Sequence, residues 1–290
     1  MRRGLDHVTH LVRDLDAAGE IYDLLGFTVG VRHTLLCGSS HRIVQMPGFF
    51  IELLQISGET SLPPVKSGQF SPAHFNAAFL KARGEGFSIL GLEGHDAEAE
   101  RLLFETAGFG DAPVCQAACT IRNMDGSEAA LSFSMAFAQD PLSPDLCVMT
   151  STLHQPESFW SEAFQRHTNH VSAVAGISLV SEEPAEHLHF LEVVTEVPVL
   201  RARDDWYVAQ TPRGEIEVMT PNLFHRRYGV TAPEGAGLRL AAVRFITSGA
   251  EELRRSLEAR HMVNEAVQGI IVVPPHAAMG AALIFERREA

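Results

Sequence analysis

A histidine and a glutamate set in apolar strands are the residues of this 290-residue chain best suited to chemistry. In Leu5–Leu11, period-two alternation puts Leu5, His7, Thr9 and Leu11 on one face. In Phe50–Ile56 the same rule puts Glu52 with Phe50, Leu54 and Ile56. A carboxylate inside Phe-Phe-Ile-Glu-Leu-Leu costs several kcal/mol unless it finds a partner, or else it gives up its charge. A neutral imidazole and an ionised carboxylate facing one cavity are suitable ligands for a divalent cation. Glu52 can also serve as a proton acceptor, making Glu52 and His7 the candidate catalytic pair. The same pair can instead be a buried, hydrogen-bonded couple lining a ligand pocket. Thr9 and Leu54 would line that cavity, and His33 and His41 can orient a substrate at its mouth. Glu217, in Gly-Glu-Ile-Glu-Val-Met, is a third candidate metal ligand, or else a surface partner of Arg213. Glu286, beside Arg287 and Arg288, reads as a solvated strand end, and His167 and His170 as loop residues. No glycine-rich phosphate loop, His-Glu-x-x-His or Gly-x-Ser-x-Gly is present, which weakens nucleotide, zinc-protease and serine-hydrolase readings.

The elements that must position these residues repeat along the chain. Gly4–Val12 is short and rich in Val and Leu, as a strand should be. Ala18, Ile21, Tyr22 and Leu25 then fall at i, i+3, i+4 and i+7, the stripe of an amphipathic helix. Asp14 is its N-cap and Gly26 its stop. Strands are expected at Thr28–Leu36, His41–Met46 and Phe49–Ile56, giving β-α-β-β-β. The order recurs with a strand at Phe87–Leu92 and a helix at Asp96–Ala107 that ends on Gly108-Phe109, echoing Gly26-Phe27. Val114–Arg122 and Ala129–Ala138 follow as strands around an Asp125-Gly126 turn. A third unit runs through Val174–Val180, a helix near Ala185–Val194, and strands at Trp206–Gln210 and Glu215–Thr220. A fourth has Leu240–Ile246, a helix at Ala250–His261, and strands at Gly269–Val273 and Ala281–Arg287. Segments rich in Pro, Gly and Ser separate them at Ser57–Pro72, Gln139–Glu157 and Pro221–Gly237.

The expected class is therefore α+β, with four β-α-β-β-β units paired into two half-barrels, because one such unit cannot bury its sheet alone. The units span 4–57, 86–138, 171–220 and 238–287, in an N-terminal domain 1–138 and a C-terminal domain 171–290 joined by a linker 139–170. The order of pairing stays open.

Composition bounds the partners. Lys and Arg number 23 against 36 Asp and Glu, a formal balance of −13, which argues against nucleic acid or an anionic membrane as partner. Asp6, Arg13 and Asp14 break any N-terminal apolar run, so a signal peptide is not expected and the cytoplasm is the expected setting. Ala266–Phe285 lacks Asp, Glu, Lys and Arg, but Pro274 and Pro275 divide it into two strands rather than a membrane span. Four cysteines are too few for a disulfide framework and read as thiols.

Gly4-Leu-Asp-His7-Val, Asp14-Leu-Asp-Ala-Ala, Leu25-Gly26-Phe27 and Phe50-Ile-Glu52-Leu-Leu resemble the glyoxalase-like branch of the vicinal oxygen chelate superfamily. That group includes glyoxalase I, extradiol dioxygenases and bleomycin- or fosfomycin-resistance proteins. The resemblance implies paired β-α-β-β-β modules, a divalent metal ion (Fe, Zn, Mn or Ni undistinguished) and ligands from first and last strands. His7 and Glu52 match those strand positions, and Glu217 repeats the last-strand one. His154-Gln-Pro-Glu157 through His167-Thr-Asn169 is similar to the segment between halves of two-half members. The pattern departs at His33-Thr34 and Gly38-Ser-Ser-His41, and the second unit has Phe87, Ser88 and Ile89 where a ligand would stand. The implied activity is a metal-assisted lyase, isomerase or dioxygenase acting on a small molecule with vicinal oxygens, in a possible homodimer. The alternative is metal-free binding or sequestration of a small molecule in the same cup.

Overall fold

A computed structural model describes residues 1–34, 39–56, 62, 70–110, 112–122, 128–262, 265–267 and 269–287. The first unit comprises β1 (Leu5–Val12), α1 (Leu15–Leu24), β2 (His33–Thr34), β3 (Ser40–Met46) and β4 (Phe49–Gln55). After α2 (Pro72–Arg83), the second has β5 (Gly86–Glu93), α3 (Ala97–Thr106), β6 (Cys115–Arg122), β7 (Glu128–Ala138) and β8 (Cys147–Leu153). A single turn, α4 (Pro156–Phe159), leads to β9 (Val171–Val180), α5 (Leu188–Thr195), β10 (Val199–Arg203), β11 (Trp206–Gln210) and β12 (Glu215–Met219). Then come α6 (Pro221–Tyr228), β13 (Arg239–Thr247), α7 (Ala250–Ala259), β14 (Glu265–Val267), β15 (Ile270–Val273) and β16 (Ala282–Arg287).

Local chemistry explains the repeated helix. The Asp14 carboxylate accepts from the Asp16 and Ala17 amides, and Asp96 accepts from Glu98 and Ala99. Gly26 and Gly108 then take φ of +85° and +80°, a left-handed turn that glycine adopts without strain. Each turn lets the next residue, Phe27 or Phe109, bond back to Tyr22 or Phe104 and drop its ring into the core.

Two eight-stranded sheets result, ordered β2-β3-β4-β1-β5-β8-β7-β6 and β10-β11-β12-β9-β13-β16-β15-β14. Consecutive units pair, with β1 antiparallel to β5 and β9 antiparallel to β13 at the two centres. Within each unit the first and last strands are parallel neighbours.

Several expectations change. The last strand of the second unit is β8, inside the stretch 139–170 read as a linker, and its Ser/Thr content between prolines hid it. The Pro221–Gly237 separator contains α6, started by Pro221 with the Thr220 hydroxyl capping Leu223 N. Cys37, Gly38, the Asp125-Gly126 turn and most of Ser57–Pro72 lie outside the described residues. Pro274 does divide the uncharged stretch into β15 and β16, and no helix among the described residues is long and apolar enough to cross a membrane.

One core runs through both halves. Phe27 packs edge-on against Phe245 at 5.3 Å and lies 6.0 Å from Phe285. Arg213 donates to the Leu5 carbonyl at 2.9 Å and pairs with Glu93, both in the first half. Arg3 donates to the Val194 carbonyl at 3.0 Å, and His10 meets the Met279 carbonyl at 3.0 Å.

Candidate functional site

The helix-facing side of the first unit carries Val8, Val12, Val44, Ile51 and Leu53, all in the core with Tyr22 of α1. Alternation therefore turns His7, Thr9 and Leu11 of β1, Phe50, Glu52 and Leu54 of β4, and His41 of β3 to the inner face. Leu5 is the exception: a register shift between Leu5 and His7 in the β1–β5 ladder leaves Leu5 in the shared core.

Glu52 is the centre of this face. Its register partner on β1 is Thr9, whose hydroxyl donates to Oε2 at 3.1 Å. His41 Nδ1 lies 2.8 Å from Oε1. Burial pushes the carboxyl up, but the His41 hydrogen bond, the His41 and His7 charges and the Thr9 hydroxyl outweigh it. Glu52 therefore titrates below the usual carboxylate range and is ionised at neutral pH. His7 stacks on Phe50, with ring centroids 4.6 Å apart and an 11° tilt, and its Nδ1 lies 2.6 Å from Asp6 Oδ2. Gly91 makes room for it, because a Cβ there would run into the imidazole. His33 meets His41 edge-on at 5.9 Å, and burial, then the neighbouring imidazole, lowers its pKa. Leu54 is buried, opposite Leu11 on β1 and His41 on β3. Phe159 and Trp160 close one end by packing against Phe50 at 5.0 and 6.1 Å.

The structure thus brings together His7, Thr9, His33, His41, Glu52 and Leu54, and leaves Glu217 on the other sheet. Glu217 is fully buried and faces Arg244 at 2.9 Å, not Arg213, which pairs with Glu93 instead. Burial pushes its carboxyl up, and the Arg244 and Arg227 charges more than reverse this. Glu286 is drawn into the same ion cluster at 3.1 Å from Arg244 rather than standing in solvent. His167 stands in the loop before β9 but is buried rather than solvated: its ring accepts from the Thr28 amide at 2.9 Å and donates to the Gln45 carbonyl at 2.8 Å. His170 does stay exposed.

A metal centre is the first thing to test against this geometry. The pseudo-twofold between β1 and β5 carries His7 onto Ile89 and Thr9 onto Gly91, since Thr9 pairs with Ile89 and His7 with Gly91. Glu52, opposite Thr9, is carried onto Met149, opposite Gly91. Two ligand-type side chains thus face two apolar ones. Among the described residues no cluster of three or more His, Cys, Asp or Glu is arranged to hold a metal. The residues present do not fit a four-ligand centre.

Two features escaped the sequence reading. A buried chain runs from Asp140 to His187 Nδ1 at 2.5 Å and from His187 Nε2 to Ser181 at 2.9 Å, tying the β7–β8 connection to the third unit. A cavity of about 350 Å³ lies between the halves, lined by Phe79, Phe87, Arg83, Asp145, Arg239 and Gly280 and apart from Glu52.

Consecutive β-α-β-β-β units closed into two sheets are the architecture that the sequence resemblance to the vicinal oxygen chelate class implies. A family model described as a glyoxalase-like domain matches residues 5–195, and the chain belongs to that family. Similar solved structures span nearly the whole chain. A hypothetical protein from Staphylococcus aureus is 12% identical with a TM-score of 0.66, covering 99% of this chain and 100% of that one. A triple mutant of 4-hydroxymandelate synthase from Streptomyces coelicolor is 11% identical, TM-score 0.58, covering 100% and 94%. The Mn(II)-bound glyoxalase from Novosphingobium aromaticivorans is 11% identical, TM-score 0.54, covering 99% and 83%. No curated protein matches the sequence.

Proposed function

We propose that the chain binds a small molecule bearing hydroxyl or vicinal oxygens in the N-terminal cup, without a metal, with Glu52 as its anchoring acceptor. The observation that carries this reading is the ionised Glu52 carboxylate, set among Thr9 and His41 while Ile89 and Met149 occupy the sister positions. A carboxylate held below its usual range is a strong hydrogen-bond acceptor and a weak base. That favours holding a ligand hydroxyl over abstracting a proton at carbon. The imidazoles of His7 and His41 flank the same carboxylate and supply donors to a second ligand oxygen. Phe50, Phe159 and Trp160 supply an apolar wall for the rest of the molecule.

The metal-assisted reading, a lyase, isomerase or dioxygenase, draws support from the Mn(II)-bound glyoxalase and the synthase among the structural relatives. It needs ligands beyond His7 and Glu52. Purified protein supplemented in turn with Mn²⁺, Fe²⁺, Zn²⁺ and Ni²⁺, then desalted, separates the two. The expected result is less than about a tenth of an equivalent of metal and no rise in Tm. Catechol and glycerate, used as vicinal-oxygen probes, should raise the wild-type Tm and leave a His7→Ala, Glu52→Ala double variant unmoved. Stoichiometric metal that the double variant loses would overturn the metal-free reading.

A further inference from the structure

The inner face of the C-terminal sheet repeats the register of the N-terminal one with a different occupant. Ser178 stands opposite Glu217 as Thr9 stands opposite Glu52. Trp206 holds on β11 the place His41 holds on β3, two residues before the partner of the glutamate. The bonds repeat as well: Ser178 Oγ donates to Glu217 Oε1 at 2.5 Å, and Trp206 Nε1 donates to Oε2 at 3.1 Å.

His7 has no counterpart. Its place, two residues before the hydroxyl residue, is Gly176, where a Cβ would come within 3.2 Å of Arg244 Nη2. The Arg244 guanidinium reaches in from β13, is 3% exposed, and meets Glu215 at 2.5 Å, Glu217 at 2.9 Å and Glu286 at 3.1 Å. Helix α6 closes over it. Phe224 and Tyr228 pack with Ala242 and Ile284 of the inner face, and the Tyr228 hydroxyl donates to Glu217 Oε1 at 2.6 Å.

We propose that the C-terminal inner face is a cation site whose occupant is the chain's own Arg244 guanidinium, so that each chain presents one ligand cup, the N-terminal one. The buried Glu217 carboxylate has lost its hydration and is repelled by the partly exposed Glu215 and Glu286 converging on the same point, so the three persist there only around a positive charge. The planar guanidinium spreads its charge over three nitrogens, as a compact ammonium cannot: Nη2 donates to Glu215, while Nη1 and Nε face Glu217 and Glu286 at ion-pair distance without an aligned hydrogen bond. Arg227 adds a second positive charge at the rim, 3.9 Å from Glu217 and stacked over Trp206 at 4.4 Å. This inference is independent of the ligand assigned to the N-terminal cup.

Arg244→Ala tests it by opening a guanidinium-sized hole among the carboxylates. Thermal unfolding is followed with about 20 mM guanidinium chloride or MnCl₂, against NaCl at equal ionic strength. The variant is expected to melt about 10 °C below wild type. It should recover a good part of that loss with guanidinium or Mn²⁺, neither of which raises the wild-type Tm. A variant that melts like wild type, or that neither cation stabilises beyond NaCl, overturns the proposal. If Arg244→Ala does not fold, Arg244→Lys and Arg244→Met decide: the lysine variant should melt well above the methionine one. Equal melting, or the reverse order, refutes a cation requirement.

Discussion

Lowering the pH from 7 to 4 acts on the join between the halves through one imidazole. His10, on β1, is fully buried, with Nε2 3.0 Å from the Met279 carbonyl and Nδ1 3.0 Å from the Tyr22 hydroxyl. A carbonyl only accepts, so Nε2 carries the proton and Nδ1 accepts from Tyr22: the ring is neutral. Burial lowers its pKa from 6.5 to about 4, and the bond to Met279 offsets only part of that. The unfolded chain therefore binds more protons than the folded one below the unfolded value. Stability is full above pH 6.5, falls as pH drops toward 4, and gains no further loss from this group below that. The loss at pH 4 is about 3 kcal/mol. With an m-value of about 3 kcal/mol per molar urea, the unfolding midpoint should move down by about 1 M. Trp160 and Trp206 report the two halves by fluorescence. Carboxylates such as Glu52 and Asp140, held below their usual range, add their own acid sensitivity, so the contrast is with His10→Gln. That variant keeps a donor for Met279 but cannot titrate, and its loss between pH 7 and pH 4 should be smaller by about 3 kcal/mol. Equal losses in the two proteins would refute the reasoning.

Gly280 has φ +83°, and a Cβ there would run into the Glu85 carbonyl across the join, so Gly280→Ala should cost more than about 2 kcal/mol in urea unfolding. His41→Ala removes the hydrogen bond and the charge holding Glu52 ionised. The carboxyl should then titrate at higher pH in carbon-detected NMR, and an unchanged titration counts against the assigned partner. Residues 1–166 alone would expose Phe27, whose ring neighbours include Phe245 and Phe285. That fragment should show fast amide exchange in β1, where cooperative, protected folding would contradict a shared core.

The repeated motif was readable because each unit carries its own signals. An aspartate cap and a Gly-Phe stop recur in residues 14–27 and 96–109, and the structure uses both. The stripe expected in the second helix, Ala99, Leu102, Leu103 and Ala107, is not the face turned to the core: Ala99 and Leu102 are exposed, and Ala97, Glu100 and Phe104 are buried instead. Glu52 was conspicuous for the same kind of reason, a charge among apolar residues. Arg244 sits in Leu-Ala-Ala-Val-Arg-Phe-Ile with an equally clear signal, a charge among apolar residues. Its carboxylate partners come from two other strands, β12 and β16, and no local pattern reports such a meeting. The strand β8 and helix α6 were obscured by flanking prolines, which mark boundaries without saying what lies between them. His187 stands two residues from His189, a spacing that signals nothing, because its partners Asp140 and Ser181 are distant or off the helix.

The hydrogen bonds that join β1 to the far half bear on how the chain is made. Arg3, Leu5 and His10 leave a ribosome well before their partners Val194, Arg213 and Met279. At about 5–20 residues per second, some tens of seconds separate His10 from Met279. Through that interval a strand bearing Leu5, Val8 and Val12 lacks part of its permanent cover. The first half therefore completes its packing only after release of the second, which places the window for misassociation during synthesis rather than after it.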